Sequence, residues 1–432
     1  MLAQEARALL TRLERVKPFA LVEPMLPAAS LLPAARSATE RYLAAGRRAM
    51  QHQVQSYLAW LDGAQAHGDT AAQAQRRLAF LRLRFNAMLT QFDLFNDVVS
   101  QRSEHESGVW LRGLDVLATD ALALPDAPFD VPPLMCYLDR GIGAAIRRAR
   151  TRLPGGGESP VAIIRIPRER MVGSGIGASL VHEVGHQGNA LLGLTASLRA
   201  AMRRHPLAGA TAWRLLERWI DEIASDFWAC ARLGISATTG LMTVVSLPRP
   251  FVFRLTADDP HPVPWIRVLL SCALGQVLHP HPQWTGLRGM WLECYPPDDL
   301  PPARRALLDA LVGALPAFAA WLAGHRVAAA GHRPLGELLQ VAQRQPARLA
   351  TLFEDWRLEP AGMYRAPPSL VFAALGQARF DGRLSPEDEA LLIARLLTHW
   401  ALRSDLEDAA PLPDPSPFPL PAPAVKARLA LA

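Results

Sequence analysis

The chain has 432 residues, of which 50% are apolar and 20% are charged, so it is long enough to bury a large core and to form two or three domains. Its formal net charge is +6, and nearly all of its positive residues are arginines. They form no basic stripe interleaved with aromatic residues, so a nucleic-acid partner is not expected. The four cysteines contain no CxxC pair, which excludes a zinc ribbon and gives no disulfide framework.

The first residues predict an amphipathic helix with early charges, not a signal sequence. The longest apolar run, residues 307–324, is interrupted by Asp309 and Pro316 and is short for a membrane span. We therefore expect a cytoplasmic protein without a membrane span, with export by a route that needs no signal sequence as the alternative.

Residues 1–122 are predicted to form a helical N-terminal region, because apolar residues recur at helical spacing over residues 35–67 and 70–101. A core region of residues 123–300 follows. It opens with a short strand at residues 134–138 and a basic helix at residues 141–152. A β-branched strand at residues 161–166 ends at Pro167, which favours an edge strand whose free side could pair with an extended peptide. The alternative is a buried strand.

The sequence His182-Glu183-Val184-Gly185-His186 matches the pattern HExxH. Positions i and i+4 share one face of a helix, so both imidazoles can reach one metal ion, with the glutamate beside it as a base. Ser174 or Gly175 can begin this helix and Gly193 can end it. The alternative is a chance match in which the histidines are ordinary core residues.

Residues 213–233 predict one helix that carries Glu222 and Asp226 one turn apart. An acidic pair on an apolar helix is costly unless it is partnered, so Glu222 is predicted to bind the metal and Asp226 to accept a hydrogen bond from a ligand histidine. A solvent-facing pair is the alternative. The longer pattern HExxHxxGxxH is excluded, because Asn189 does not continue it. Cys230 is a substitute ligand that would leave Glu222 unexplained.

Further along, residues 261–267 read HPVPWIR. A hydrolase needs a hydrogen-bond donor where the oxyanion develops, and His261 is the candidate, with Arg267 assisting. A capped turn before an apolar helix is the alternative. Three weaker candidates for the same role are His279, His281 and Tyr295. Residues 301–410 are predicted to be helical again, and residues 411–432 form a proline-rich extended tail.

Taken together in this order, HEVGH, EIASDFWA and HPVPWIR resemble the motifs of the gluzincin zinc metallopeptidases, and most closely those of the CAAX prenyl endopeptidases and their soluble relatives. The resemblance covers about residues 130–275. It implies zinc ligands, a base, a partner for a ligand histidine, an oxyanion donor and a nearby arginine. The implied zinc ligands are His182, His186 and Glu222, and the implied base is Glu183. Asp226 is the implied partner of a ligand histidine, His261 the implied oxyanion donor and Arg267 the nearby arginine.

The fold expected from these observations is mainly α (α+β), and the resemblance implies a zincin-like catalytic core with a small antiparallel sheet between helical flanks. The activity that it implies is zinc-dependent hydrolysis of peptide bonds, by glutamate-assisted attack of a zinc-bound water on a peptide or protein substrate. An endopeptidase is favoured. The alternative is a catalytically inactive, metallopeptidase-like helical scaffold. Substrate specificity and oligomeric state stay open.

Overall fold

A computed structural model describes residues 1–16, 26–63, 70–125, 129–140, 143–153, 157–168, 173–256 and 258–408. The chain is mainly helical with a small sheet, so the coarse fold prediction is confirmed. The predicted proline-rich tail lies outside the described residues.

Among the described residues, four α-helices precede the sheet. They are α1 (Leu2–Arg15), α2 (Pro33–Gly63), α3 (Ala71–Ser100) and α4 (His105–Leu122). In α1 the buried residues are Ala6, Leu9 and Leu13, which follow helical spacing, as an amphipathic helix requires. The start of α3 is fixed by a capping box, in which the side chains of Thr70 and Gln73 each bind the other's backbone N–H. The predicted helical N-terminal region is therefore present.

The sheet contains β1 (Leu134–Asp139), β2 (Ala145–Arg147) and β3 (Ala162–Pro167), in the order β1-β3-β2. β3 pairs in parallel with β1 and antiparallel with β2, so the sheet is mixed and the prediction of an antiparallel sheet is wrong. The predicted basic helix at residues 141–152 is also wrong, because β2 lies there. The 22 residues between β1 and β3 are long enough for the crossover that a parallel pair needs.

β3 is the middle strand of this sheet, so the prediction of an edge strand is wrong. Its alternating residues enter two different cores: Ile164 packs in the main core and Ile163 packs among the N-terminal helices. A strand that is buried on both faces needs a continuous apolar run, which explains the sequence of β3. Pro167 stands at the last position of the strand, where its missing N–H costs the ladder little.

Of the fourteen α-helices that the structure describes after the sheet, eight lie before residue 295. They are α5 (Gly175–Leu191), α6 (Leu194–Arg203), α7 (Thr211–Arg218), α8 (Ile220–Leu233), α9 (Ile235–Val245), α10 (Arg249–Val252), α11 (Pro264–Leu278) and α12 (Gln283–Cys294). The predicted limits of α5 are confirmed, with Gly193 in the left-handed conformation just beyond it. The prediction of one helix over residues 213–233 is wrong, because the backbone leaves helical geometry at Trp219 and divides it into α7 and α8.

The remaining elements are α13 (Pro302–Gly324), β4 (Arg326–Val327), β5 (Arg333–Pro334), α14 (Leu335–Leu338), α15 (Pro346–Leu358), α16 (Ala361–Arg365), α17 (Pro368–Phe380) and α18 (Pro386–Asp408). They belong to the same hydrophobic core as α4, α5, α8 and α11. A second core holds α1, α2, α3 and the outer face of the sheet. The predicted domain boundaries themselves stay a prediction.

Among the described helices, α13 alone is long and apolar enough to cross a membrane, with 23 residues and a mean hydropathy of 1.8 over its most apolar stretch. It is 33% buried over that stretch and packs against α11 and α7, and its buried residues include Leu311, Leu315 and Phe318. A core helix meets the same criteria, so this feature is weak support for a membrane span.

Candidate metal centre

Two glycines on α5 allow it to lie very close to α8. A Cβ atom on Gly185 would stand 2.9 Å from the Cα atom of Ser225, and one on Gly188 would stand 2.5 Å from the ring of Trp228. Asn189 adds a hydrogen bond of 3.1 Å from its Nδ2 to Ser225 Oγ. The close crossing brings the histidine face of α5 against the acidic face of α8.

His182, His186 and Glu222 meet at this crossing. Each offers one ligand atom, and the three atoms lie within 4.8 Å of one another. Glu222 Oε2 is 3.3 Å from His182 Nε2 and 3.5 Å from His186 Nε2. This buried oxygen makes no well-formed hydrogen bond among the described residues, and a buried carboxylate oxygen left in that state is costly. The sequence therefore predicted correctly that these three side chains converge.

Asp226 and Arg267 form a chain behind His182. Asp226 Oδ1 lies 2.8 Å from His182 Nδ1, and Arg267 donates from Nε and Nη2 to the two carboxylate oxygens of Asp226 at 2.7 and 2.8 Å. The bidentate pair is only 10–12% exposed. Asp226 thus fixes His182 with Nδ1–H directed at the carboxylate and Nε2 directed at Glu222.

His186 has a corresponding partner that the sequence analysis did not single out. Asp221 Oδ2 lies 3.5 Å from His186 Nδ1, and the hydroxyl of Thr195 on α6 donates to Asp221 Oδ1 at 2.6 Å. Asp221 directly precedes Glu222, so a carboxylate adjacent to a predicted ligand was the available signal. Each ligand histidine therefore has its own acid.

His261 also reaches Glu222, with its Nε2 3.2 Å from Glu222 Oε2. It does not belong to the three-residue ligand group, and its side chain is 44% exposed. Asp259 orients the ring, because its Oδ1 lies 2.8 Å from His261 Nδ1 and also accepts the backbone N–H of His261 at 3.0 Å. Asp259 is the second site residue that was not predicted from the sequence. The available signal was an acid two positions before a candidate histidine.

The charges of the site favour positive groups at its centre. Burial lowers the pKa of His186, but the close contacts with the carboxylates of Asp221 and Glu222 outweigh it and raise that pKa to about 10. Burial also lowers the pKa of His182, but Asp226 raises it by more, so the net shift is upward. The contact with Glu222 raises the pKa of His261. An environment that stabilises protonated imidazoles also stabilises a dication among them.

A cavity of about 160 Å³ opens beside these side chains. Glu183 lines it together with His182, Asp226, His261 and Arg267. The carboxylate of Glu183 makes no hydrogen bond with any described residue, although the side chain is largely buried. A free carboxylate therefore faces the cavity next to the ligand group. The rest of the wall is mostly apolar and comes from the sheet loop and from α5, α8, α9 and α11. These other lining residues are Gly143, Ala144, Ala178, Ser179, Ala229, Ala237, Leu241, Val244 and Ser271.

The remaining candidates lie away from this centre. His279 is fully buried and its Nε2 lies 3.1 Å from the carbonyl oxygen of Cys230, so it is a core residue. His281 accepts a local backbone N–H at the start of α12, and the hydroxyl of Tyr295 donates to the carbonyl of Leu247. The thiol of Cys230 is buried, and burial raises its pKa far above the ordinary value. None of these four residues belongs to the ligand group or lines the cavity, so the structure gives their weaker predicted roles no support.

The donor set fits a zinc ion. Two neutral imidazole nitrogens and one carboxylate oxygen make the His₂Glu set of a catalytic zinc site, and each histidine is held by a carboxylate. The buried, unpartnered Oε2 of Glu222 is the atom that such an ion would satisfy.

Comparison of the chain with protein-family models, with curated proteins and with solved structures finds no match.

Proposed function

We propose that this chain is a zinc-dependent peptidase with a zincin-like centre, as its resemblance to the gluzincins implies. One observation carries the proposal. The unpartnered Oε2 of Glu222 lies among three imidazole Nε2 atoms, and the free carboxylate of Glu183 faces the adjoining cavity.

His182, His186 and Glu222 would hold the ion. When bound, zinc supplies Lewis acidity that polarises a carbonyl group and acidifies water. Glu183 then takes a proton from the water that attacks the peptide carbonyl carbon. It returns that proton to the nitrogen of the leaving amine as the C–N bond breaks. Because its carboxylate has no competing partner among the described residues, Glu183 is available for both transfers.

His261 is placed to stabilise the negative charge on the carbonyl oxygen. Asp259 accepts a hydrogen bond from Nδ1–H, so Nε2 is the nitrogen that can face the reacting group. Glu222 raises the pKa of His261, which favours the protonated ring that can donate a hydrogen bond from Nε2 to the oxyanion. Arg267 holds Asp226 and, through it, the orientation of His182.

The position of β2 supports a peptide as substrate. β2 is an edge strand, and Gly143 and Ala144 directly before it line the cavity. An extended peptide that pairs with β2 would run alongside the cavity, and backbone hydrogen bonds would bind it without regard to most side chains. The peptide-pairing role predicted for β3 therefore passes to β2.

The test is cleavage of an unbiased peptide library by the zinc-loaded protein and by its Glu183→Gln variant. The amide keeps the shape of the side chain but cannot accept the proton. We expect the variant to retain zinc and to lose cleavage by a factor of about 10² to 10⁴. Glu293→Gln, at an exposed glutamate of α12, is the matched control and should cleave normally.

Retained cleavage by Glu183→Gln contradicts this mechanism. A protein that binds zinc and cleaves nothing in the library supports the alternative, a catalytically inactive metallopeptidase-like scaffold. The open cavity beside His182 favours the enzyme, since a scaffold has no need of a free base next to an accessible metal site.

A further inference from the structure

A second cavity lies on another side of α11, between α11, α12 and α13, and has a volume of about 240 Å³. Arg267 and Ser271 of α11 line the candidate metal centre, whereas Cys272 and Gln276 of α11 line this second cavity. We name it the α11–α13 groove. Its walls are mainly apolar. They are formed by Leu269, Val277, Trp284, Val312, Leu315 and Pro316.

The groove also has a small polar rim. Thr285 and Arg288 are three residues apart on α12 and therefore share one face, and Gln276 of α11 completes the rim. All three side chains are exposed hydrogen-bond donors. The groove thus combines an apolar floor with donors and one positive charge at its edge.

Arg288 is the charged member of this rim. It forms no ion pair with any residue that the structure describes, whereas Arg305 on the neighbouring α13 pairs with Asp298. Arg288 lines the groove together with Cys272, and its charge opposes the rise that burial causes in the pKa of that thiol. An unpaired guanidinium beside apolar walls is matched by a ligand with an anionic head and an apolar body.

We propose that the α11–α13 groove binds a small apolar carboxylate, whose chain fills the groove and whose carboxylate pairs with Arg288. The cavity lies below the range of about 300–1,000 Å³ that is typical of drug-sized ligands, so the ligand is a short acyl chain or an apolar amino-acid carboxylate. The site is independent of the metal centre, and its test does not depend on peptidase activity.

The experiment is calorimetric titration of the full chain with octanoate. We expect saturable binding of one octanoate per chain. Acetate lacks the apolar body and octylamine carries the opposite charge, so neither should bind detectably. N-acetyl-leucine distinguishes the two ligand sources: binding as tight as that of octanoate supports an apolar amino-acid carboxylate, and weaker binding supports an acyl chain.

Two variants locate the site. Arg288→Gln should weaken octanoate binding by about tenfold or more, because it removes a charge-assisted contact. Arg305→Gln, at an arginine that pairs with Asp298 and Asp309, is the matched control and should bind normally. Ala273→Leu places a larger side chain in the groove and should abolish binding with little change in melting temperature.

Three results would each overturn the proposal. They are the absence of saturable octanoate binding, octylamine binding as tight as that of octanoate, and unchanged octanoate affinity in both Arg288→Gln and Ala273→Leu.

Discussion

Asp226 Oδ1 lies 2.8 Å from Nδ1 of His182, and the same carboxylate receives both arms of the Arg267 guanidinium. Burial raises the pKa of Asp226, but the charges of Arg267 and then of His182 outweigh burial and hold that pKa well below its ordinary value. It therefore stays ionised and keeps the imidazole in the orientation that a metal ligand needs.

We predict that Asp226→Asn lowers zinc affinity by about 10- to 100-fold, because the amide holds His182 less firmly and weakens its basicity. Competition with a chromophoric chelator measures the affinity. Asp355→Asn, at an exposed aspartate of α15, is the control and should bind zinc as tightly as the parent. Zinc affinity unchanged by Asp226→Asn would show that the carboxylate has no part in presenting the ligand.

The close crossing of α5 and α8 makes a second prediction. Gly188→Ala places a methyl group within 2.5 Å of the Trp228 ring, which is fully buried and cannot move aside freely. We expect a loss of about 1–3 kcal/mol in the free energy of unfolding, from overpacking. Denaturant titration measures it.

Gly286→Ala is the matched control for this substitution. Gly286 is also inside a helix, but no atom lies within 4 Å of a Cβ built there. Alanine is the better helix former, so the control should gain up to about 1 kcal/mol. Equal effects of the two substitutions would mean that the helix crossing is less close than described.

The third prediction concerns pH. Burial lowers the pKa of His279 to about 4 from an ordinary value of 6.5, a nearby Arg344 adds to the decrease, and the carbonyl of Cys230 opposes it. Because the folded chain binds this proton less readily than the unfolded chain, the stability that neutral His279 contributes is complete above pH 6.5. It is lost progressively as the pH falls from 6.5 towards 4.

Between pH 7.5 and 5 this linkage amounts to about 2 kcal/mol. We expect the unfolding free energy of the parent protein to fall by that much more over this range than that of His279→Gln, which cannot titrate. Denaturant titrations at the two pH values measure the difference. Parallel curves for the two proteins would mean that His279 titrates equally in the folded and unfolded states.

The convergence of the metal centre could be predicted because its main residues repeat at helical spacing. His182 and His186, like Glu222 and Asp226, are one turn apart, so each pair lies on one face once a helix is assumed. Asp221 could not be predicted in the same way. Its reach to His186 follows from the break at Trp219, and nothing in residues 213–233 distinguishes two helices from one.

The position of β3 within the sheet depends on contacts with residues that are distant in the sequence. A β-branched run that ends in proline fits an edge strand as well as a buried one, and Pro167 favoured the edge. β3 is a middle strand because β1 and β2 pair with its two edges, and the N-terminal helices cover its far face and pack against Ile163. That packing joins segments more than sixty residues apart and has no local signature in the run itself.

The most direct test of the central claim is the zinc content of the purified protein, measured by mass spectrometry together with peptide cleavage. We predict one zinc ion per chain, loss of cleavage on chelation and recovery on addition of zinc, with Glu222→Ala retaining neither metal nor activity. Full zinc occupancy with unchanged affinity in Glu222→Ala, or full cleavage by the metal-free protein, would contradict the account.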